Sequence, residues 1–169
     1  MKTGVYIGRF NPPQKGHMNI IKTLLRRVDK LIVVIGSAEK INEKENPFSG
    51  KERVKMMKAY LKEEGIPECK VKIYTLRDKK SWKGAIDNLL KTCKFDVLFT
   101  NKKIIMKKVD NRIKIETFNR TGKSGRISGT RIRNAINKDK EWEHLTGISV
   151  AGLIKKMNGI QRIKRAYEK

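Results

Sequence analysis

Two short apolar runs with a helical pattern between them constrain the fold more than any other feature of this sequence. Gly4 to Ile7 and Leu31 to Ile35 are apolar over lengths typical of buried strands. Between them, "HMNIIKTLLRRV" repeats apolar residues at helical spacing, at Ile20, Ile21, Leu24, Leu25 and Val28. A strand, a helix and a second strand in this order predict a parallel pair joined by a crossover helix.

The same alternation continues along the chain. Further strands are predicted near Val71 to Tyr74, at Phe95 to Phe99 and at Ile113 to Thr117. Helices are predicted between the strands and at the end of the chain, at residues 51–64, 81–92, 128–137, 149–157 and 160–167. The pattern predicts an α/β fold in which a parallel sheet carries helices on both faces and is followed by C-terminal helices, all in a single domain spanning residues 1–169.

The chain is strongly basic. Its 169 residues include 41 Lys and Arg against 17 Asp and Glu, and the resulting net charge of +24 favours polyanionic ligands such as nucleotides, pyrophosphate or nucleic acids. The basic residues are scattered over every predicted helix rather than gathered in one arm. A generally Lys-rich surface is therefore the preferred interpretation, and nonspecific nucleic-acid binding stays open.

The sequence predicts no membrane segment and no metal site. Its longest apolar run, Leu31 to Ile35, is far shorter than the about 20 residues that a spanning helix needs. The N-terminus passes directly into the first predicted strand without a secretory leader, so we expect a cytoplasmic protein. Cys69 and Cys93 lie outside any metal-ligand spacing.

The segment "GRFNPPQKGH", residues 8–17, follows the first predicted strand. Gly8 permits a sharp turn, and Gly16 lets the backbone approach a ligand as the helix begins. Unpaired N–H groups at a helix N-terminus attract anions, and His17 in the first turn would direct its imidazole to the same place. With Arg9 alongside, the segment predicts a phosphate-binding loop.

A second segment, "ISGTRIR" at residues 127–133, offers another helix start. Ser128 and Thr130 bring hydroxyl groups, Gly129 brings an amide, and Arg133 lies close to one turn after Thr130. The carboxyl ends of parallel strands meet at one edge of the sheet, and open α/β sheets bind their ligands there. Both helix starts are therefore expected to face the same ligand.

Both segments carry a resemblance to a known group of enzymes. "GRFNPPQKGHMNII" resembles the (H/T)xGH signature of the nucleotidyltransferase superfamily, and "RISGTRIR" resembles its ISxTxxR signature. Smaller segments, among them "IGSAEK", "NPFSGKER", "FDVLFTN" and "WEHL", are similar to those of the archaeal nicotinamide-mononucleotide adenylyltransferases, in the same order along the whole chain.

The resemblance implies a fold, a reaction and partners. The fold would be a Rossmann-like, doubly wound parallel sheet. The reaction would transfer an adenylyl group from ATP to nicotinamide mononucleotide, giving NAD and pyrophosphate, with Mg²⁺ bound through the ATP phosphates. The partners would be small-molecule nucleotides, and the chain would form a homo-oligomer, since related archaeal enzymes are hexameric.

The resemblance also implies roles for individual residues. His17 would contact the oxygens of the α- and β-phosphates, with Arg9 beside them. Ser128, Thr130 and Arg133 would hold the β- and γ-phosphates, which leave as pyrophosphate. Further contacts to ATP would come from Gly8, Phe10, Gly16, Gly36 and Gly129. The nicotinamide nucleotide would be bound by Trp82, Asn101 and Arg120.

The sequence departs from the family at three places. Gln14 replaces the first histidine of the signature, Asn42 stands where relatives often have a histidine, and "TLRDKKSW" is shorter than the family segment before the tryptophan. A glutamine amide donates a hydrogen bond but cannot become cationic, so Gln14, counted here among the catalytic residues, predicts an active but slower enzyme. The loss is about five- to tenfold if the family histidine acts as a donor, and approaches about 10²- to 10³-fold if it acts as an imidazolium on developing charge. The sequence therefore constrains the identity of the acceptor less than it constrains the use of ATP.

Two other functions stay open at this point. One is a sister nucleotidyltransferase that acts on another phosphorylated acceptor, such as phosphopantetheine. The other is a nucleic-acid-binding protein on a degenerate nucleotidyltransferase scaffold, which the charge of +24 and Gln14 would suit. The intact "GH" and "ISGTRIR" segments argue against the second.

Overall fold

Five parallel strands form the sheet of the computed structural model, which describes residues 1–79, 81–108, 113–119 and 127–168. The strands are β1 (Thr3–Gly8), β2 (Lys30–Ile35), β3 (Val71–Thr75), β4 (Val97–Phe99) and β5 (Lys114–Glu116). Their order across the sheet is β3, β2, β1, β4, β5, and every neighbouring pair is parallel. The predicted strand set and its parallel pairing are confirmed.

Seven helices accompany the strands within the described ranges. They are α1 (Lys15–Leu24), α2 (Gly50–Glu63), α3 (Trp82–Thr92), α4 (Lys103–Lys108), α5 (Gly129–Asn137), α6 (Ile148–Lys156) and α7 (Gly159–Glu168). The sequence did not predict α4, because its six residues "KIIMKK" are too few to show a helical period. None of the helices in the described ranges combines the length and the apolar character needed to cross a membrane.

The strands bury opposite faces in two separate cores, as their alternating side chains require. In β2, Leu31, Val33 and Ile35 pack in the core that holds α1, α2 and α5 to α7. Ile32 and Val34 pack in the second core, against side chains of α3 and α4. Full burial of each such aliphatic side chain contributes about 1.5–3 kcal/mol, so the two cores fix helices on both faces of the sheet.

The order of the strands reverses between β1 and β4. From β1 the chain moves outward to β2 and β3, and it then crosses to β4 and β5 on the other side of β1. Connections that leave two neighbouring strands in opposite directions open a crevice at the carboxyl ends of those strands. Gly8 ends β1 and Phe99 ends β4, so the crevice lies above these two residues.

Candidate active site

A cavity of about 620 Å³ occupies this crevice. Its described lining comes from β1 and the loop after it, the start of α1, the residues after β4 and β5, and the start of α5. Most of the predicted site residues meet there, namely Gly8, Arg9, Phe10, Gln14, Gly16, His17, Asn101, Ser128, Gly129, Thr130 and Arg133. The structure therefore brings the two predicted helix starts to one cavity.

Three predicted site residues are not among the described lining residues, one because it lies elsewhere and two because they are not described. Gly36 follows β2, where its N–H donates to the carbonyl of Gly8 at 2.9 Å, and it is not among the described lining residues. Trp82 is the first residue of α3, and its side chain lies outside what the structure describes. Arg120 also lies outside the described residues.

A reciprocal cap closes the N-terminus of α1. The side-chain oxygen of Gln14 accepts from the N–H of Gly16, and the backbone N–H of Gln14 donates to Nδ1 of His17 at 3.2 Å. Because Nδ1 accepts a hydrogen bond, a neutral imidazole here carries its proton on Nε2. The cap therefore makes His17 a hydrogen-bond donor through Nε2, on the lining of the cavity.

The ring of His17 is also positioned by aromatic packing. Phe10 meets it edge-on, with ring centroids 4.7 Å apart, and the Phe10 ring is itself buried against Tyr6. The end of β1 leaves room for this packing only because it is glycine: a Cβ at Gly8 would lie 2.7 Å from the Phe10 ring. The glycine of the first motif thus fixes the aromatic neighbour of His17.

Gln14 joins the two predicted phosphate-binding segments. The side-chain nitrogen of Gln14 donates to the carbonyl of Ile127 at 3.1 Å, and Gln14 as a whole is only 4% exposed. Ile127 immediately precedes Ser128, the N-cap of α5. Gln14 lies on the cavity lining, but its amide already makes one bond to the start of α1 and one to the segment entering α5. These contacts are those of a cap and a tether, and its catalytic role stays a prediction.

The N-terminus of α5 is capped by a hydroxyl group and followed by a buried arginine. Ser128 Oγ accepts from the N–H of Arg131 at 3.1 Å. One turn on, Arg133 donates to Thr130 Oγ1 at 3.2 Å and to the carbonyl of Asn11 at 2.8 Å. The last contact links α5 to the loop after β1, so the two helix starts are joined a second time.

Arg133 is a buried cation on the cavity lining. It is 5% exposed, and its Nε has no partner among the described residues. Burial lowers the pKa of Arg133, and the positive charge of Arg9 acts in the same direction. A Cβ at Gly129 would come within 3.0 Å of both Arg133 Nη1 and the Asn11 carbonyl, so the glycine makes room for this contact. An anion near Arg133 would relieve the electrostatic cost of its burial.

Arg9 forms an ion pair with Glu45 across the mouth of the cavity. The side chains are 49% and 65% exposed, and Glu45 is the one carboxylate among the described lining residues. The hydrogen bond from Arg9, and then its charge, hold the pKa of Glu45 below its ordinary value. Exposed pairs of this kind are weak, so Arg9 can exchange Glu45 for another anion at little cost.

The wall formed by β4 and β5 is closed by Asn101. Its side-chain amide donates to the carbonyl of Phe118 at 2.7 Å, and its side-chain oxygen accepts from the N–H of Phe118 at 3.1 Å. The side chain of Asn101 thus makes the two hydrogen bonds that a backbone residue would make, and it continues the pairing of β4 and β5 beyond the ends of the strands. Asn101 lines the cavity, where it was expected, next to Lys102.

Three residues around the site were missed by sequence reasoning. Asn11 supplies the carbonyl that Arg133 binds, and its side chain pairs with the backbone of Phe48. Glu45 and Arg53 were not singled out, although Arg53 shares the i, i+4 helix face of the core residue Met57. That spacing was the available signal, but an arginine in a helix is normally assigned to the surface.

The lining suits the binding of an anionic group. Arg9, Lys102 and Arg133 bring positive charge, His17 brings an N–H donor, and α1 and α5 bring the positive ends of two helix dipoles. Donors and cations held in place by the fold stabilise charge that develops during a reaction without themselves reacting.

Comparison with known proteins identifies the family of this chain. The cytidylyltransferase-like family matches residues 5–135, which include both helix starts. A nicotinamide-nucleotide adenylyltransferase of Methanolobus tindarius is 32% identical over 165 residues, covering 97% of this chain and 94% of that protein. A protein of the same name from Pyrobaculum arsenaticum is 32% identical over 174 residues, covering 98% and 94%.

Solved structures share the fold. A bifunctional NMN adenylyltransferase/ADP ribose pyrophosphatase from Francisella tularensis superposes with a TM-score of 0.80 at 22% identity, covering 96% of this chain but only 52% of its own. A putative nicotinate-nucleotide adenylyltransferase from Vibrio parahaemolyticus superposes with a TM-score of 0.69 at 20% identity, covering 92% and 99%. The Rossmann-like fold expected from the resemblance is confirmed. The chain belongs to the cytidylyltransferase-like family and, within it, is related to the archaeal nicotinamide-nucleotide adenylyltransferases.

Proposed function

We propose that this protein transfers AMP from ATP to nicotinamide mononucleotide, forming NAD and pyrophosphate. The observation that carries the proposal is the meeting of two helix N-termini, α1 and α5, with Arg9, His17 and Arg133 on one cavity. The name shared by the archaeal relatives supports the same activity.

The reaction needs positioning and charge stabilisation rather than a protein nucleophile. A phosphate oxygen of the acceptor forms a bond to the α-phosphorus of ATP while the bond from that phosphorus to the bridging oxygen of the β-phosphate breaks. The electron pair of the broken bond stays on the pyrophosphate. Negative charge therefore grows on the leaving group, and groups that bind it more tightly in the transition state accelerate the step.

The two helix starts divide this work. His17, with its proton on Nε2, donates to the α- and β-phosphate oxygens, and Arg9 leaves Glu45 to pair with the same phosphates. Ser128, Thr130 and Arg133 hold the β- and γ-phosphates. The buried position of Arg133 supports this assignment, because a buried cation attracts an anion more strongly than an exposed one does.

Mg²⁺ enters as part of the Mg–ATP substrate. Among the described lining residues Glu45 supplies the one carboxylate, and it is paired with Arg9. Among the described residues, no three His, Cys, Asp or Glu side chains lie close enough together to hold a metal. This donor set suits an ion whose ligands are phosphate oxygens and water.

The acceptor would lie on the side of β4 and α3. Asn101 lines the cavity there, and we assign it, with Trp82 and Arg120, to the nicotinamide nucleotide. The shorter segment before Trp82 makes the acceptor the part of the proposal that most needs a direct test.

The test is to mix the protein with ATP, Mg²⁺ and nicotinamide mononucleotide and to follow NAD with a coupled dehydrogenase. Nicotinate mononucleotide and phosphopantetheine are assayed in parallel by pyrophosphate release. An Arg133→Ala preparation controls for a contaminating host enzyme, since it should lose the activity. Pyrophosphate release with phosphopantetheine and with no other acceptor would show that nicotinamide mononucleotide is not the acceptor. Steeply salt-dependent RNA binding without turnover on any acceptor would overturn the enzymatic assignment.

A further inference from the structure

Arg53 is a fully buried cation that no carboxylate pairs with among the described residues. It lies on the inner face of α2, and its exposed fraction is 0%. Its guanidinium donates four hydrogen bonds, all to backbone carbonyls. The acceptors are Arg9 at 2.7 Å, Gly36 at 2.8 Å, Ser37 at 2.8 Å and Ser49 at 3.2 Å.

The burial of this charge lowers the stability of the fold. Carbonyl groups satisfy the hydrogen-bonding needs of a guanidinium but do not neutralise its charge, and a buried charge without an ionic partner destabilises a protein. Burial lowers the pKa of Arg53 to about 10, with the nearby charge of Arg9 acting in the same direction and Glu39 and Asp78 opposing it. The group therefore stays cationic at neutral pH. An apolar side chain of similar size would fill the same space without that cost.

The four carbonyls belong to three separate segments, and one of these, the loop after β1, lines the cavity. Arg9 belongs to the loop after β1, and Gly36 and Ser37 follow β2. Ser49 is the N-cap of α2 and belongs to the third segment. One side chain thus joins the carboxyl ends of two neighbouring strands to the helix that covers them.

The segments after β1 and β2 contain strained backbone. Phe10 has a φ of 49° and Ser37 has a φ of 50°, in the left-handed region that side chains other than glycine seldom adopt. Arg53 binds the carbonyl just before Phe10 and the carbonyls of Gly36 and Ser37. Strained conformations persist where their surroundings over-determine them, and such sites concentrate where a ligand must be met by a fixed geometry.

We propose that Arg53 is a positioning residue of the ATP site, which holds Arg9, Phe10 and the end of β2 in the conformation that binds the nucleotide. Arg53 is not on the described lining of the cavity, so it acts through these segments and not by contact. Phe10 in turn packs on His17, so the influence of Arg53 reaches the phosphate-binding imidazole as well. The inference rests on the proposed use of ATP.

The test compares Arg53→Lys with Arg162→Lys. Arg162 is a partly buried arginine that likewise binds the start of α2, through Glu52 at 2.6 Å and the carbonyl of Pro47 at 2.7 Å, but its hydrogen bonds reach neither strand end. Lysine keeps the charge at either position and loses the fork of donors. ATP affinity is measured by calorimetry with Mg²⁺ and no acceptor, and unfolding is measured by heat in the same buffer.

Arg53→Lys should weaken ATP binding about tenfold or more, because a displacement of about an ångström in the groups that contact the nucleotide greatly weakens their action on it. Nicotinamide mononucleotide binding should change less than about twofold. Arg162→Lys should lower the melting temperature and leave ATP binding unchanged. Equal loss of ATP affinity in both variants would overturn the proposal, and so would unchanged affinity in Arg53→Lys.

A second variant, Arg53→Gln, covers the case in which lysine is not accommodated. It should fold and also bind ATP more weakly. If neither variant folds, Arg53 is a requirement of the fold and the positioning role is wrong. ATP binding is read without turnover, so failure of the wild-type protein to make NAD would count against the proposed function and not against this inference.

Discussion

Two helix N-termini meet the same cavity, and they are capped in different ways. At α1 the cap is a buried amide, Gln14, whose contacts are made inside the protein. At α5 the cap is an exposed hydroxyl, Ser128, with Thr130 also exposed and Arg133 buried behind them. The first arrangement presents one oriented group, His17, whereas the second presents several donors with a charge beneath them. A single oriented donor suits the reacting phosphate, and a broader cradle suits a leaving group with many oxygens.

A third helix start shows what an anion does at such a place. Two carboxylate oxygens of Glu63 accept from the N–H groups of Ile148 and Ser149, at 2.9 and 2.8 Å, where α6 begins. Burial raises the pKa of Glu63, but the hydrogen bonds from Ser149 and Ile148 outweigh it and leave the pKa below its ordinary value. The N-terminus of α6 is thus occupied by a side chain, while those of α1 and α5 face the cavity.

The largest effect is expected at the oriented donor of α1. His17→Ala should lower kcat about 10²- to 10³-fold, because it removes a donor to charge that develops in the transition state. His144→Ala is the matched control, since His144 is the second of the two histidines and lies in the turn Glu143–Leu145, away from the cavity lining. Steady-state kinetics of NAD formation measures both. A similar loss of kcat in His144→Ala would contradict the catalytic role assigned to His17 at the N-terminus of α1.

Arg133→Lys alters the group of donors at the N-terminus of α5, and its main effect should be weaker pyrophosphate binding. Loss of the contacts to Asn11 and Thr130 should weaken pyrophosphate inhibition about 10- to 100-fold, the value of one or two charge-assisted hydrogen bonds. The neighbouring exposed Arg131→Lys provides the comparison and should stay within about twofold. If both variants change acceptor affinity more than pyrophosphate affinity, the division of work between the two helix starts is wrong.

Gln14→His separates the tether from the phosphate donor. Restoring a histidine should raise turnover, by about five- to tenfold if it acts as a donor and by up to about 10²- to 10³-fold if it acts as an imidazolium, and should cost about 1 kcal/mol of stability because the bond to the Ile127 carbonyl is lost. Denaturant unfolding and kcat are measured on the same preparation. Unchanged turnover would exclude the donor role, and unchanged stability would exclude the tether.

The smallest effect concerns the occupied helix start. The folded-state pKa of Glu63 is lowered, so its contribution to stability is present above its unfolded pKa and is lost as pH falls through the folded value. Glu63→Gln should lower the free energy of unfolding at pH 7 by about 0.3–0.5 kcal/mol after solvent screening, and the difference should vanish once the pH lies below the folded-state pKa of Glu63. Glu64→Gln, which loses an ion pair with Lys22 instead of a helix contact, is the control. A pH-independent difference would contradict the assignment.

Sequence patterns predicted the parts of this structure that depend on periodic burial and on motifs. Apolar runs located all five strands, and the segments that contain His17 and Ser128 placed two helix starts at one edge. The contacts of Gln14 were beyond reach, because glutamine is not a usual N-cap and histidine is not the usual partner three residues later. Arg53 was missed because its acceptors are carbonyls distant along the chain, which no local pattern records.

The pair of Arg9 and Glu45 has a consequence for selectivity among cellular anions. An incoming ligand must take Arg9 from a carboxylate that already lies at the cavity mouth. A triphosphate competes well because it carries several charges and reaches Arg133 at the same time, whereas inorganic phosphate or a carboxylate metabolite offers fewer charges at a single point. Because the pair with Glu45 is exposed and weak, selectivity for the nucleotide would come from simultaneous pairing of a polyphosphate with Arg9 and the buried Arg133, and not from exclusion of small anions by Glu45.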